Sequence, residues 1–184
     1  MSIVLLGSTS GSCTLQEQAV AGNTVLTLPT TSGTLLTTAT PFSNGQGPAF
    51  SAYVGTNQSI SAGTLTKVQF NTEQFDTASC FDASTNFRFT PNVAGYYQIN
   101  LSANFASNTN HILVSIYKNG SRGVGGEGQI IATLTGGSAQ NCSNIVFMNG
   151  STDYLEGYAY SGNSNTLNLG FNNTFFSGAL VRAA

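Results

Sequence analysis

The fold of this chain is decided by one stretch of sequence, Phe87-Arg88-Phe89-Thr90-Pro91-Asn92-Val93-Ala94-Gly95-Tyr96-Tyr97-Gln98-Ile99. Pro91 has a fixed φ and Gly95 tolerates backbone conformations closed to other residues, so the two mark a turn between two β-prone runs. Phe89 and Tyr97 lie on either side of the turn and then face one core, as the inward side chains of a β-sandwich do. The pattern predicts two strands that share one hydrophobic layer.

Similar β-prone runs recur at short intervals along residues 49–184. In the run 112–117 the side chains of Ile112, Val114 and Ile116 share one face, and Asn119-Gly120 follows as a hairpin signal because both residues tolerate positive φ. No pattern typical of a helix longer than a turn or two follows residue 50. The chain also has 12 Phe and 7 Tyr, which suit the half-buried surface of a sheet. We therefore expect residues 49–184 to form an all-β head, a sandwich or a barrel.

Residues 1–40 differ from the head, because short β-prone pieces are separated there by Gly, Ser and Thr. The alternation before Pro29 places Leu26 and Leu28 on one face, and the proline then ends the strand since it has no amide donor. Such a stripe needs a neighbouring chain to cover it, because a short strand without a sheet leaves open edges. We expect an extended, β-rich arm at 1–40 that trimerises and attaches, followed by a turn-rich hinge at 41–48.

The head resembles the C1q-like and TNF-like family in several separated fragments that occur in the same order. These are the F-x-P-x-x-x-G-x-Y pattern at 89–97 and shorter matches at 49–53, 70–71, 115–120 and 176–180. The resemblance spans residues 48–184 and implies a jelly-roll β-sandwich that assembles tightly as a homotrimer. Together with the strand alternation it predicts a structural core made of Phe50, Tyr53, Phe70, Phe89, Pro91, Gly95, Tyr97, Phe176 and Gly178.

The arm carries a second resemblance. Its residues 24–35, TVLTLPTTSGTL, are similar to a repeat common in bacteriophage tail-fibre proteins. This resemblance implies a shaft of three copies in which Leu26, Leu28 and Leu35 contribute to trimerisation. The arm and the head are then both expected to assemble about the same three-fold axis, so the two resemblances support each other. We expect a homotrimer whose arm binds other virion proteins.

Composition excludes several partners. Only 7% of the residues are charged and the net charge is −2, whereas nucleic-acid binding needs a clustered positive field that five scattered Lys and Arg cannot supply. No run approaches the roughly 20 apolar residues of a membrane span, and no basic flank of a secretory leader is present at the start. We expect synthesis in the cytoplasm of a host bacterium and a final place in the virion. Cys13, Cys80 and Cys142 form no CxxC pair and are expected to be free thiols.

The chain offers little material for catalysis, with seven carboxylates and His111 as its only imidazole. Glycoside cleavage needs two facing carboxyl groups, and the pairs available are Glu73 with Asp76, Asp76 with Asp82, and Asp153 with Glu156. Solvated loop carboxylates are the simpler interpretation of these pairs. A structural calcium site near the three-fold axis is the alternative, because hard cations take clustered oxygens. We expect no enzyme activity and no other cofactor.

Residues 123–128, GVGGEG, satisfy the pattern G-x-G-x-x-G. A dinucleotide site needs a helix immediately after this pattern to present its N-terminus to phosphate. Residues 129–134 are typical of a strand instead, so we interpret the glycines as a flexible loop.

These observations favour a structural virion protein of a bacteriophage, a tail fibre or fibre tip that attaches to the host surface. Host-surface glycans are the expected receptor, and Tyr158 and Tyr160, flanked by Gly157 and Gly162, are the candidates for contact with it. The alternative is a trimeric capsid decoration, or cement, protein that stabilises the shell. A depolymerising tailspike enzyme is disfavoured by the short chain and the few carboxylates.

Overall fold

A computed structural model describes residues 2–6, 12–16, 47–134 and 136–184, without the side chains of 2–16, 108–110 and 132–134. The chain divides into two compact units, Met1–Thr37 and Thr38–Ala184. Leu26, Leu28 and Leu35 lie outside the described residues, as does most of the expected hinge. The trimerising arm and the hinge therefore stay predictions.

In the first unit, two strands form an antiparallel pair. They are β1 (Ser2–Leu6) and β2 (Ser12–Gln16), and Val4 lies opposite Thr14. The apolar run at 3–6 predicts the first of them. An isolated two-stranded pair is marginally stable in water, so β1 and β2 alone would not form a stable fold.

The described part of the second unit is made of strands and contains no helix. The strands are β3 (Ala49–Tyr53), β4 (Gln58–Ile60), β5 (Thr66–Lys67), β6 (Thr72–Asp76), β7 (Phe81–Asp82), β8 (Arg88–Phe89), β9 (Ala94–Phe105), β10 (Asn108–Lys118), β11 (Glu127–Leu134), β12 (Ser138–Asn149), β13 (Leu155–Ser161), β14 (Asn165–Leu167) and β15 (Phe175–Ala183).

These strands form two antiparallel sheets. The first sheet has the order β4-β14-β9-β15-β3-β6, and β12 pairs with β9 along its whole length, from Asn149 opposite Ala94 to Ser138 opposite Phe105. The second sheet has the order β11-β10-β13-β8-β7, and β5 also pairs with β13. The chain crosses from one sheet to the other after β9, β11, β12 and β13, as the strands of a jelly roll do, and β10 and β11 form a hairpin within the second sheet.

The core lies between the two sheets and is rich in aromatic rings. Phe50 of the first sheet stacks on Phe89 and Phe81 of the second, with ring centroids 4.3 and 5.0 Å apart. Five of the predicted core side chains are at most 1% exposed, namely Phe50, Phe70, Phe89, Tyr97 and Phe176. Pro91, Gly95 and Gly178 are buried as well. The two aromatics around the Pro91 turn thus enter one hydrophobic layer.

Tyr53 differs from its prediction as a core residue. Phe50 and Ala52 point inward from β3, and the strand alternation therefore places Tyr53 on the outward side, where it is half-buried. Its ring lies edge-on to Phe171, with centroids 6.2 Å apart. The prediction placed both Phe50 and Tyr53 of the matching run 49–53 in the core, whereas residues three positions apart in a strand face opposite sides.

Two glycines make room for neighbouring side chains of the core. A Cβ at Gly178 of β15 would lie 2.5 Å from the Ile99 side chain, and a Cβ at Gly157 of β13 would lie 2.8 Å from the Phe70 ring. Neither contact is tolerated by a packed interior, so both positions require the absence of a side chain.

The buried polar groups are consistent with a structural core. The Tyr97 hydroxyl donates a hydrogen bond to Val93 O at 2.8 Å, and burial raises the pKa of this phenol. Cys80 and Cys142 are buried free thiols, as expected, and burial raises the pKa of Cys142 to about 12. A thiol with so high a pKa is a poor nucleophile at neutral pH.

Residues 47–48 and the last residue, Ala184, lie at the same end of the sandwich, which we call the proximal end. Leu180 N donates to Pro48 O, and Ala184 N donates to Ala94 O, both at 3.0 Å. The opposite, distal end is built from the segments 54–65 and 162–174. These two segments are joined to each other through Gly170 N, which donates to Val54 O at 2.9 Å.

Candidate functional site

The outward side of β9, β12 and β15 carries a cluster of exposed apolar side chains, which we call the apolar face. Its members are Tyr96, Ile145, Phe147 and Val181, which are 46%, 53%, 43% and 59% exposed. The Tyr96 and Phe147 rings meet edge-on, with centroids 5.4 Å apart. The cluster borders an open depression of about 570 Å³ at the proximal end. Contiguous exposed apolar surface of this kind is typical of an interaction site.

The strand alternation and one bulge create this cluster. Tyr97 is fully buried, so its neighbour Tyr96 must face outward. Ile145 and Phe147 alternate in the same way with the buried Val146 and Met148. On β15 the register shifts between Leu180 and Arg182, and the extra residue of this bulge, Val181, joins the apolar face.

The remainder of the same outward side is polar but almost uncharged. β3, β9 and β12 contain no Asp, Glu, Lys or Arg. Gln98 Nε2 donates to Ser143 Oγ at 2.7 Å, and Ser143 Oγ donates to Asn100 Oδ1 at 2.9 Å. Neutral amides and hydroxyls can be desolvated at a lower free energy than charged groups. This side of the sheet is therefore suited to burial against another protein surface.

The outward side of β10, β11 and β13, together with β5, has a different chemistry, and we call it the polar face. Lys67 Nζ forms an ion pair with Glu156, whose side chain is only 7% exposed, and also donates to Asn86 O at 3.1 Å. Tyr158 stacks on Tyr117 with ring centroids 3.9 Å apart. Tyr158, one of the predicted receptor contacts, is therefore half-buried within an aromatic pair.

Tyr160, the other predicted receptor contact, lies further along β13 towards the distal end. It is half-buried, and its ring centroid is 4.9 Å from that of His111. His111 Nε2 lies 3.2 Å from Gln129 Oε1, which fixes the imidazole. Arg122 Nε donates to Glu127 Oε1 at 2.6 Å, and this hydrogen bond raises the pKa of Arg122. Tyr160 therefore lies in one group of side chains with His111 and Arg122.

The sequence did not indicate that His111 and the glycine-rich loop lie beside these tyrosines. Arg122 directly precedes the glycine-rich loop 123–128, Glu127 belongs to it, and His111 is the fourth residue of β10. The β10–β13 register brings Leu113 opposite Tyr160 and Ser115 opposite Tyr158. Only the pairing of β10 with β13 brings His111 close to Tyr160. The hairpin signal at Asn119-Gly120 and the outward alternation of β10 were the available hints.

Two carboxylates of the head, Asp82 and Asp153, are held by local hydrogen bonds. Asp82 accepts from the amides of Ser84, Thr85 and Asn86 at 2.9 to 3.1 Å, and these bonds lower its pKa strongly. Hydrogen bonds from Asn119 and Lys118 lower the pKa of Asp153. Such low pKa values do not suit a general acid near neutral pH.

No group of three His, Cys, Asp or Glu side chains able to hold a metal ion occurs within the described part of one copy. A calcium ion bound by several copies about a three-fold axis stays a prediction. In the glycine-rich loop, Gly125 N donates to Ile116 O at 3.1 Å, and β11 follows directly where a dinucleotide site requires a helix. The glycine-rich loop is therefore part of the connection between the paired strands β10 and β11.

No family model and no curated protein matches the sequence. Solved structures do resemble it. The globular domain of the zebrafish complement 1qA protein is 15% identical, with a TM-score of 0.56 over 74% of this chain and 99% of that one. Murine APRIL is 12% identical, with a TM-score of 0.58 over 74% and 100%. The PRD1 vertex protein P5 is 16% identical, with a TM-score of 0.50 over 76% and 100%.

These likenesses confirm the all-β jelly roll of the C1q and TNF type that the fragments around the Pro91 turn predict. The fold also occurs in a phage vertex protein. Among the described residues, no helix is long and apolar enough to cross a membrane. Two outward surfaces, one apolar and one polar, remain as the candidate functional surfaces of the head.

Proposed function

We propose that the chain is a structural, non-enzymatic protein of a bacteriophage virion, a tail fibre or fibre tip that attaches the particle to the host surface as a homotrimer. In this proposal the apolar face is buried between copies and the polar face is turned outward. The arm of residues 1–40 connects the trimer to other virion proteins.

The observation that carries the proposal is the apolar face itself. Four large apolar side chains about half exposed on one sheet are unfavourable in water and are stabilised by burial at about 25 cal/mol for each Å² removed from solvent. No charge on β9 or β12 opposes close approach of another copy. A second copy of the chain carries the same apolar face. Association of the copies therefore removes the exposed apolar side chains of each copy from water.

Three copies are favoured over two by the resemblance of the head. The C1q-like and TNF-like family implies trimers, and the fibre-like sequence at 24–35 implies a three-stranded shaft. The virion setting is supported by that same shaft sequence and by the occurrence of the fold in the PRD1 vertex protein P5.

Capsid decoration is the second candidate function. It is favoured by one observation, that the phage protein sharing the fold is a vertex protein. In that case the polar face would lie over the capsid surface, and many copies would occur in each particle.

The assembly is tested with two matched variants, Ile145→Asp and Ile131→Asp. Both isoleucines are exposed, by 53% and 69%, but Ile145 lies on the apolar face and Ile131 on β11 of the second sheet. Sedimentation velocity of the full chain should show a wild-type trimer of 19.1 kDa protomers. Ile145→Asp should dissociate the trimer because it buries an unpaired charge, and Ile131→Asp should remain trimeric.

A monomeric wild type, or equal dissociation by both variants, would contradict this assembly. Circular dichroism of each variant checks that the β-fold is retained. Gold-labelled antibody on intact particles separates the two virion roles, since label confined to the tail indicates a fibre and label over the shell indicates decoration. Release of reducing sugar from host polysaccharide by the purified chain would contradict the non-enzymatic assignment.

A further inference from the structure

A groove of about 320 Å³ lies on the polar face towards the distal end, and we call it the Tyr160 groove. It is lined by Gly63, Leu65, His111, Leu113, Arg122 and Tyr160. Leu113 is only 2% exposed and forms part of an apolar floor. The volume lies at the lower end of the range of ligand pockets, roughly 300 to 1,000 Å³, so the groove suits one small ring rather than an extended peptide.

Aromatic rings form one wall of the Tyr160 groove. Tyr160 and His111 are tilted by 56° with centroids 4.9 Å apart, and the His111 ring is fixed by Gln129. Fixed rings lose little conformational entropy on binding. A flat apolar surface that ends in a phenolic hydroxyl matches a ligand that has an apolar ring face and a polar rim.

Another wall of the groove contains Arg122, a donor, and its ion-pair partner Glu127 adds an acceptor beside it. The Arg122 guanidinium is held by Glu127, and these side chains remain 51% and 34% exposed. Guanidinium N–H groups donate and carboxylate oxygens accept, so together they can bind two neighbouring hydroxyl groups. Because the two charges compensate each other, this wall attracts neither anions nor cations strongly.

We propose that the Tyr160 groove binds one neutral sugar residue of a surface polysaccharide. The Tyr160 ring contacts the apolar face of the sugar, and the Arg122–Glu127 pair binds two adjacent hydroxyls. This inference deepens the proposed attachment function and rests on it for the source of the glycan. It names the site and the ligand class that the attachment function leaves open.

Three further features support this choice of ligand. The groove lies on the second sheet, away from the apolar face of the first, so it stays accessible in the proposed trimer. Lys67, another cation on this face, is neutralised by Glu156, which disfavours a phosphorylated or uronic acid ligand. The stacked Tyr117–Tyr158 pair one row further along offers a second ring surface for the next sugar of a chain.

The test uses the full chain and saturation-transfer NMR with glucose, galactose, mannose and N-acetylglucosamine, together with adenosine as a non-saccharide ring. Wild type should bind at least one of the sugars. Tyr160→Ala and the surface variant Arg122→Gln should each weaken that binding by at least about tenfold. Their matched controls, Tyr53→Ala and Arg182→Gln on the first sheet, should bind as wild type does.

Absence of binding to every sugar, binding of adenosine alone, or equal loss in variants and controls would overturn the proposal. Sedimentation velocity of the same samples separates this result from the fate of the proposed function. A trimer that binds no sugar contradicts only the Tyr160 groove, whereas a monomer whose sugar binding needs Tyr160 contradicts only the assembly.

Discussion

The two outward faces of the head differ in charge although their strands share one core. The apolar face on β9, β12 and β15 exposes four large apolar side chains, and Arg182 is the only charged residue on these three strands. The polar face holds the Lys67–Glu156 and Arg122–Glu127 pairs beside two aromatic pairs. Folding imposes the same inward alternation on both sheets. The two faces therefore differ at outward-facing positions. Packing of the core does not constrain these positions, so their side chains are available for function.

The largest expected effect comes from removing a ring that both sheets share. Phe89→Ala deletes a fully buried side chain stacked on Phe50, and it should lower the free energy of unfolding by about 3 to 5 kcal/mol. Urea denaturation at a fixed protein concentration measures the change. Both faces should unfold in one transition.

The matched control is Phe75→Ala, which removes a phenylalanine that is 48% exposed on β6. It should change the free energy of unfolding by less than about 1 kcal/mol. Comparable losses in the two variants, or separate transitions for the two sheets, would contradict the single shared core.

The polar face should be sensitive to the loss of one charge. Lys67→Met leaves Glu156 buried without its ion-pair partner, and we expect a loss of about 3 kcal/mol in the free energy of unfolding. The double variant Lys67→Met/Glu156→Leu should recover most of that loss, because an apolar pair needs no compensating charge. If the double variant is no more stable than the single one, the buried charge is not the cause.

Asp82, at the turn that follows β7, should make the free energy of unfolding depend on pH. Hydrogen bonds lower the pKa of Asp82 in the folded protein, so its stabilisation is complete above the unfolded pKa of about 3.9 and is lost as the pH falls towards the folded value. Asp82→Asn should be less stable than wild type by about 1 kcal/mol at pH 7. In urea titrations this difference should shrink below about pH 4. A difference that is constant from pH 7 to 3 would contradict the role of the charge.

The smallest effect is expected at the exposed ion pair. Glu127→Gln removes the partner of Arg122, whose side chain is 51% exposed, and should lower the free energy of unfolding by less than about 1 kcal/mol. Salt at 1 M, where the Debye length is about 3 Å, should remove most of this difference. A larger, salt-independent loss would place the pair in the structural core of the polar face.

Much of the fold was predictable because it depends on local alternation. Phe89 and Tyr97 flank Pro91 at spacings that place both inward, and the structure buries both. Tyr53 shows the limit of a match by resemblance, since the matching block contained both faces of a strand. Phe50 and Tyr53 are separated by an odd number of positions, so the two-residue period alone assigns them to opposite faces.

The candidate surfaces were less predictable because they depend on register between distant strands. Tyr96 and Tyr97 are adjacent, and only the packing of the sheets decides which of them is buried. Tyr158 and Tyr160 were identified from their glycine neighbours, but His111 and Arg122 reach them only through the β10–β13 pairing and the hairpin that follows β10. No local pattern specifies contacts between residues so far apart in the chain.

The placement of residues 47–48 and Ala184 at one end has a practical consequence for engineering. A foreign peptide grafted into the segment 162–164 would project from the opposite tip, remote from the polypeptide that leads into the sandwich. The same peptide attached at Ala184 would lie at the end of the sandwich that holds Pro48. Tips of this kind tolerate insertions well, so the molecule is suited to serve as a display scaffold whose payload and tether are spatially segregated.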